Sequence, residues 1–187
     1  MNVTRANGVQ LHYSVEGPED RPVIVFSNSL GTDFRVWDRL VDRFDERYRM
    51  VRYDKRGHGL SEMTPAPYAM DDHVGDLIGL LDHLRLDSVV VCGLSVGGMI
   101  AQGLAARQPE RMRAMILMDT AAKIGTAEMW NDRIKAIEAG GIEVLADPIM
   151  ERWLSATFRA EKPEETLVWR NMLTRTTRDG YLGTSAA

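Results

Sequence analysis

Two spacings of apolar residues alternate along the first 120 positions, one typical of strands and the other typical of helices. Every second residue from 9 to 15 is apolar, and Asn7-Gly8 precedes this run, so the first twenty residues are predicted to form a β-hairpin. Four short, mostly apolar runs predict further strands at 23–26, 48–53, 88–92 and 112–118.

Helical spacing separates these predicted strands. Apolar residues at i, i+3, i+4 and i+7 predict one helix over 37–44 and a second over 74–81, for which Asp71 is the predicted N-cap. A third helix is expected to follow residue 95 and to end near Pro109. Strands that alternate with helices of this length predict an α/β protein, with a mostly parallel sheet covered by helices on both faces.

The pattern changes after residue 121, where no further strand is indicated. Trp130, Ile134 and Ile137 lie on one face of a predicted helix that Gly140-Gly141 would end. A second helix is predicted to begin at Pro148, and a third to span 164–177. The sequence therefore predicts a core at 1–121 and a helical lid at 122–187.

Composition and charge exclude several classes of function. The 187 residues are 44% hydrophobic and 27% charged, and the net charge of −4 argues against nucleic-acid or basic membrane-surface binding. The chain has no apolar run of 18 residues and no N-terminal apolar signal region, so membrane association is not expected. Its single cysteine, Cys92, suits a reducing compartment, and we predict a cytoplasmic protein in which Cys92 is a core residue.

The candidate chemistry centres on the sequence Gly93-Leu94-Ser95-Val96-Gly97. A G-x-S-x-G sequence between a predicted strand and a predicted helix is typical of a nucleophile elbow, in which a tight turn exposes the serine Oγ. We therefore predict that Ser95 is a catalytic nucleophile.

An oxyanion hole would have to accompany that nucleophile. The backbone N–H of Val96 is the predicted first donor, and the small, glycine-containing loop at 27–32 is predicted to supply the second from Leu30. No metal-binding or phosphate-binding motif is found, so neither a metal nor a cofactor is predicted.

A base and an acid for Ser95 are harder to find. All four histidines precede Ser95, and His12, His73 and His83 are interpreted as surface or boundary residues. His58 is predicted to fix its own glycine-bounded loop rather than to act as the base. Asp119 is the one plausible acid, although bracing the start of the lid is the favoured interpretation of this residue.

Three motifs carry a family resemblance across essentially the whole chain. They are Asn28-Ser29-Leu30-Gly31-Thr32 followed by Trp37, the Asp54-x-Arg56-Gly57-His58-Gly59-x-Ser61 segment, and the elbow with Gly98-Met99 and the later Pro109-Glu110-Arg111. Together they resemble the α/β-hydrolase superfamily. The Asn-Ser-Leu-Gly-Thr form of the first motif is similar to the 3-oxoadipate enol-lactonase group of aromatic catabolism.

The resemblance implies an α/β-hydrolase fold with an all-helical lid, Ser95 as nucleophile and Leu30 and Val96 as oxyanion donors. It also implies that relatives continue beyond the lid with strands 7 and 8, which bear the catalytic Asp and His and are absent from this chain. The chain is thus expected to be truncated after the lid, and to be weakly active or inactive alone. A complementing C-terminal chain, or a homo-oligomer formed through the exposed sheet edge, would then be its partner.

The implied substrate is a small ester or lactone with a carboxylate, most specifically 3-oxoadipate enol-lactone. Four lid residues are candidates for contact with it, namely Trp130, Arg133, Arg152 and Trp153. A related esterase or a cofactor-free haloperoxidase is the alternative within the superfamily. The alternative from another class is a non-catalytic scaffold or binding module.

Overall fold

A six-stranded sheet forms the centre of the protein in a computed structural model that describes residues 1–44 and 46–187. The strands are β1 (Asn2–Ala6), β2 (Val9–Glu16), β3 (Val23–Ser27), β4 (Arg49–Tyr53), β5 (Val89–Leu94) and β6 (Met112–Met118). They lie in the order β1-β2-β4-β3-β5-β6. The last four in this order are parallel to one another, and β1 and β2 are antiparallel to their neighbours. The predicted mostly parallel sheet is confirmed.

The helices cover this sheet and then form a separate cluster of their own. They are α1 (Asp38–Phe44), α2 (Met70–Leu84), α3 (Val96–Arg107), α4 (Ala127–Gly140), α5 (Ala146–Trp153), α6 (Ala156–Glu161), α7 (Pro163–Thr174) and α8 (Arg178–Ala186). Short 3-10 turns precede α1, β6 and α5.

The opening hairpin follows from its turn residues. Asn7 and Gly8 both have positive φ angles, +48° and +79°, as a two-residue turn with the twist of the flanking strands requires. Ala6 pairs with Val9 across this turn, which confirms the predicted hairpin.

Successive residues of the parallel strands point to opposite faces of the sheet, and each face has its own helices. Val25 and Val91 are fully buried in the cluster that includes α2 and α3. Their neighbours Phe26 and Cys92 are buried in the cluster that includes Trp37 and α1. A strand buried on both faces must be apolar at successive positions, which explains the continuous apolar runs in the sequence.

Cys92 belongs to the core, as predicted. It is 4% exposed, its Sγ lies 3.8 Å from the Sδ of Met118, and burial raises the pKa of its thiol to about 11. The thiol is therefore protonated and shielded at neutral pH.

Two local predictions in the segment before α3 are wrong. Helix α2 begins at Met70 rather than after Asp71, because Ala69 is the extended N-cap residue and its backbone N–H donates to the Asp72 carboxylate at 2.8 Å. His12 and His73 are buried rather than at the surface, with 8% and 1% exposure. His83 is exposed, as predicted.

The contacts of the two buried histidines explain why hairpin and helix patterns did not reveal them. The ring of His12 stacks on Phe34 and places its Nδ1 2.8 Å from an Asp54 oxygen. The His73 ring packs edge-on against Tyr68, and burial lowers its pKa to about 3, so this imidazole is neutral at pH 7. The segments that cover these two side chains lie outside the hairpin and outside α2, respectively.

The segment after residue 121 is helical, as predicted, and α4 ends at Gly140. Helix α5 begins two residues before Pro148, and α7 lies within the predicted third helix except for its first residue, Pro163. Helices α6 and α8 were not predicted. The buried side chains of this region pack on Leu30 and Val96 from the core. The division of the chain at residues 121 and 122 stays a prediction.

Strand β6 is the last strand of the sheet and is exposed along most of its length. Four consecutive apolar residues are 38–47% exposed, namely Met115, Ile116, Leu117 and Met118. β5 lies on one side of it, and no described strand lies on the other. Among the described helices, none is both long and apolar enough to span a bilayer.

Candidate active site

Ser95 lies in a sharp turn between β5 and α3. Its φ and ψ angles are +53° and −121°, a combination that residues other than glycine rarely adopt. The N–H of Ser95 donates to the Met118 carbonyl at 2.9 Å. The carbonyl of Ser95 accepts from the Thr120 hydroxyl at 2.7 Å and from the Gly98 N–H at 2.8 Å. Met118, the last residue of β6, and Thr120 just after it thus hold the strained turn at both the N–H and the carbonyl of the serine.

The glycines around Ser95 permit this turn because backbone atoms occupy the space of a side chain. A Cβ on Gly93 would lie 2.4 Å from the Gly97 oxygen, and a Cβ on Gly97 would lie 2.0 Å from the Ser27 oxygen. Both distances are far below normal contact, so α3 approaches β3 and β5 more closely than any side chain allows.

A second tight turn, at 29–32, faces the elbow. The Thr32 N–H donates to the Ser29 carbonyl at 3.3 Å, and Gly31 has a φ of +74°, as the third position of a type II turn requires. The Gly31 N–H donates to His58 Nε2 at 3.1 Å. In the part of the chain that the structure describes, the Leu30 N–H has no hydrogen-bond acceptor.

His58 and Lys55 support this turn from beneath. His58 is fully buried and its Nδ1 lies 3.0 Å from the Arg56 carbonyl, so both ring nitrogens are engaged and neither is free for Ser95. Burial, with the charge of Lys55 adding to it, lowers the pKa of His58 well below its ordinary value. Lys55 is 1% exposed, and its Nζ donates to the Ser29 carbonyl at 2.8 Å.

A cavity of about 450 Å³ opens on Ser95, between the ends of the strands and the helical lid. Six of the seven residues predicted for the site line it, namely Leu30, Ser95, Trp130, Arg133, Arg152 and Trp153. The seventh, Val96, lines an adjoining cavity of about 350 Å³ that also includes Ser95 and Leu30. As the first residue of α3, Val96 has an N–H without an acceptor inside the helix.

The larger cavity combines aromatic walls with two guanidinium groups. The Arg133 guanidinium lies 4.8 Å from the centre of the Trp130 ring. Burial raises the pKa of the Tyr181 hydroxyl, and the charges of Arg133 and Arg152 act in the opposite direction. Such a cavity favours an anionic group on an otherwise apolar ligand.

Asp119 lines the larger cavity as well, whereas none of the described lining residues of either cavity is a histidine. Asp119 is exposed and has a φ of +43° directly after β6. Sequence reasoning therefore found residues at the correct edge of the sheet. It missed Lys55 and Tyr181, the first because a single lysine in a loop carries no burial signal, and the second because α8 was not recognised.

Comparison with known proteins agrees with this geometry. The sequence model of the alpha/beta hydrolase fold family matches residues 22–140. The chain is 38% identical over 176 residues to 3-oxoadipate enol-lactonase 2 of Acinetobacter baylyi, and these cover 94% of this chain and 66% of that protein. A second 3-oxoadipate enol-lactonase from the same organism is 38% identical over 156 residues, which cover 83% of this chain and 58% of that protein.

A solved structure is similar over almost the whole chain. The enol-lactonase from Burkholderia xenovorans superposes with a TM-score of 0.95 at 37% identity, covering 99% of this chain and 72% of the other. The chain thus spans about two thirds of the first curated relative and less of the second. The matched family, the strained turn at Ser95 and the sheet order together show that this chain belongs to the α/β-hydrolase fold family of hydrolases.

Proposed function

We propose that Ser95 is the nucleophile of a carboxylic ester or lactone hydrolase, and that 3-oxoadipate enol-lactone is its substrate. The observation that carries this proposal is the strained turn that presents Ser95 to a cavity with two arginines. The similarity to two 3-oxoadipate enol-lactonases supports the choice of substrate.

The mechanism begins with attack of the Ser95 Oγ on the lactone carbonyl carbon. The carbonyl oxygen becomes an oxyanion, which the N–H groups of Leu30 and Val96 stabilise by hydrogen bonds. Collapse of this intermediate breaks the ring C–O bond and leaves an acyl group on Ser95, with the enolate oxygen as leaving group. Water then hydrolyses the acyl group, and ketonisation of the released enol makes ring opening effectively irreversible.

A base must remove the proton of Ser95 in the first step and activate water in the last. We propose that a histidine and its acidic partner reach Ser95 from a polypeptide segment other than the described lining residues. A complementing chain that pairs along the exposed β6 would supply this segment. In this proposal the whole site, rather than these residues alone, has full hydrolase activity.

Covalent labelling tests the nucleophile directly. We expect a fluorophosphonate probe to modify Ser95 to one equivalent when the base is present, because an activated serine Oγ attacks phosphorus. Intact mass measures the adduct, and Ser95→Ala should remove it completely. No adduct on the folded chain together with its partner segment would contradict the proposal.

The same experiment separates the hydrolase from a non-catalytic scaffold. The absence of a histidine among the described cavity-lining residues favours the scaffold. A chain that binds 3-oxoadipate but never reacts with the probe, alone or complemented, would be a binding module.

The carboxylate specificity has its own test. We expect Arg133→Met to weaken binding of 3-oxoadipate, the product, about 10- to 100-fold, since a hydrogen bond to a charged group contributes about 1.5–3 kcal/mol. Binding of the corresponding dimethyl ester should change by less than about twofold, because the ester has no charge to lose. Titration calorimetry measures both affinities.

The matched control for this test is Arg175→Met, at an exposed lid position outside both cavities. It removes the same charge and should leave both affinities unchanged. If Arg133→Met lowered the affinities for the acid and the ester equally, the ligand carboxylate would have to bind to a group other than Arg133.

A further inference from the structure

The peptide group between Ser29 and Leu30 is held by contacts that the proposed mechanism does not use. Its carbonyl oxygen accepts from Lys55 Nζ at 2.8 Å and from the Thr32 hydroxyl at 2.9 Å. The Thr32 N–H is a third and longer donor at 3.3 Å. An ammonium is the strongest of these donors, so Lys55 dominates the set.

The planarity of the peptide group links this contact to the oxyanion hole. In a trans peptide, the C=O of Ser29 and the N–H of Leu30 lie in one plane and point in opposite directions. An oxygen fixed towards Lys55 therefore directs the Leu30 N–H away from Lys55. Ser29 and Leu30 line the cavity of Ser95, whereas Lys55 lines neither cavity.

We propose that Lys55 is the positioning residue of the oxyanion hole, which orients the Leu30 N–H towards the cavity through the Ser29 carbonyl. This inference rests on the proposed role of Leu30 as an oxyanion donor. Lys55 has a second effect, because a charge-assisted bond to the carbonyl polarises the whole peptide group. The Leu30 N–H is then a stronger donor when an oxyanion forms.

The surroundings of Lys55 act on its charge in opposite directions. The ammonium is 1% exposed and interacts favourably with the carboxylates of Asp54 and Asp33. Burial is the larger effect and lowers the pKa of Lys55 to about 7. The side chain remains an N–H donor in both protonation states, so the orientation persists across neutral pH.

The alternative is that Lys55 only stabilises the turn, which the Thr32 contacts would orient without it. Lys55→Met separates the two, because it removes the donor and keeps a side chain of similar length. The matched control is Tyr53→Phe. It removes a buried hydrogen bond of 3.0 Å to Ser27 in the neighbouring strand and leaves the Ser29–Leu30 peptide untouched.

Two measurements are made on the wild type and both variants. The first is the ¹⁵N–¹H residual dipolar coupling of the Leu30 amide in a weakly aligned medium, which reports the direction of the N–H bond. The second is the affinity for phenylboronic acid, which forms a tetrahedral adduct with a serine Oγ and needs oxyanion donors, with Ser95→Ala as the blank.

We expect Lys55→Met to change the Leu30 coupling while couplings in the sheet are preserved. We also expect it to lower the affinity for phenylboronic acid roughly 10- to 100-fold. This is somewhat less than the ~10²–10³-fold loss of kcat that follows deletion of an oxyanion-hole donor. Tyr53→Phe should change neither. Lys55→Gln, which has a neutral donor, should restore the coupling in full and the affinity in part, and it replaces Lys55→Met if that variant does not fold.

An unchanged Leu30 coupling in Lys55→Met, or equal changes in Tyr53→Phe, would overturn the proposal. An altered coupling with unaltered boronate affinity would do so too. If the wild type together with its partner segment binds no boronate, the proposed role of Ser95 fails, and the coupling alone decides whether Lys55 orients Leu30.

Discussion

Arg56→Met is expected to lower the free energy of unfolding by about 3–5 kcal/mol, because it leaves a buried carboxylate without its partner. The Arg56 guanidinium donates to both oxygens of Asp76, at 2.7 and 2.5 Å. The two side chains are 8% and 1% exposed. Among the described residues, the amide of Asn7, at 3.1 Å, would be the one remaining donor to the Asp76 side chain. Urea unfolding at pH 7 measures the change.

A double variant and a surface control make this prediction specific. Arg56→Met combined with Asp76→Leu should recover much of the loss, since no unpaired charge is then buried. Arg107→Met removes an exposed pair with Asp71 and should cost less than about 1 kcal/mol. If the double variant lost as much stability as Arg56→Met, the packing of the Arg56 side chain, rather than the unpaired charge, would account for the loss.

The pH dependence of Arg56→Met has a defined sign. Burial already raises the pKa of Asp76 above its ordinary value, and Arg56 opposes that rise. Without Arg56 the folded pKa rises further, so the unfolded chain ionises first and stability falls as pH rises between the two values. The deficit relative to the wild type should therefore be smaller at pH 4 than at pH 7.

Gly97→Ala is expected to destabilise the protein by about 3 kcal/mol, at the upper end of the overpacking range. An alanine within a helix ordinarily stabilises by up to about 1 kcal/mol relative to glycine. Here its Cβ would lie 2.0 Å from the oxygen and 2.5 Å from the carbon of the Ser27 carbonyl. These are backbone atoms of β3, so relief requires α3 to move away from the sheet.

The control lies in the same helix. The three atoms nearest to a Cβ on Gly103 all belong to the Val74 side chain, the first of them a methyl carbon at 2.5 Å, and a side chain can give way more easily than a strand. Gly103→Ala should therefore cost clearly less in the same urea titration. Equal losses for the two variants would mean that the close approach at Gly97 is not required.

The sequence predicted features that depend on neighbouring residues. Asn7-Gly8 has few alternatives to a tight hairpin, and an apolar run between turns has few alternatives to a buried strand. The elbow at Ser95 combines both kinds of signal. Leu30 in the larger cavity was also predicted, because parallel strands bring their carboxyl ends to one edge, and four lid residues were predicted because the resemblance implies a substrate with a carboxylate.

Features that depend on distant contacts were not predictable in this way. Helix α8 contains Gly180 and Gly183, which lower helix propensity, yet a Cβ on Gly180 would lie 2.0 Å from the Gly57 oxygen. The packing of α8 against the loop at Gly57 thus requires glycine at position 180. The Thr177 hydroxyl, 120 residues after Gly57, also donates to the Gly57 carbonyl at 2.8 Å. The burial of His73 and Lys55 likewise depends on which segments cover them.

The position of Cys92 has a consequence for measuring the motions of the sheet. A thiol reacts as the thiolate, and this one is shielded in β5, three residues before the elbow serine. Modification by a thiol reagent thus requires β5 to separate from the side chains that bury Cys92. As the chain has one cysteine, the labelling rate reports the opening of that strand in the unaltered sequence. The free energy of local opening beneath Ser95 can thereby be compared with that of global unfolding.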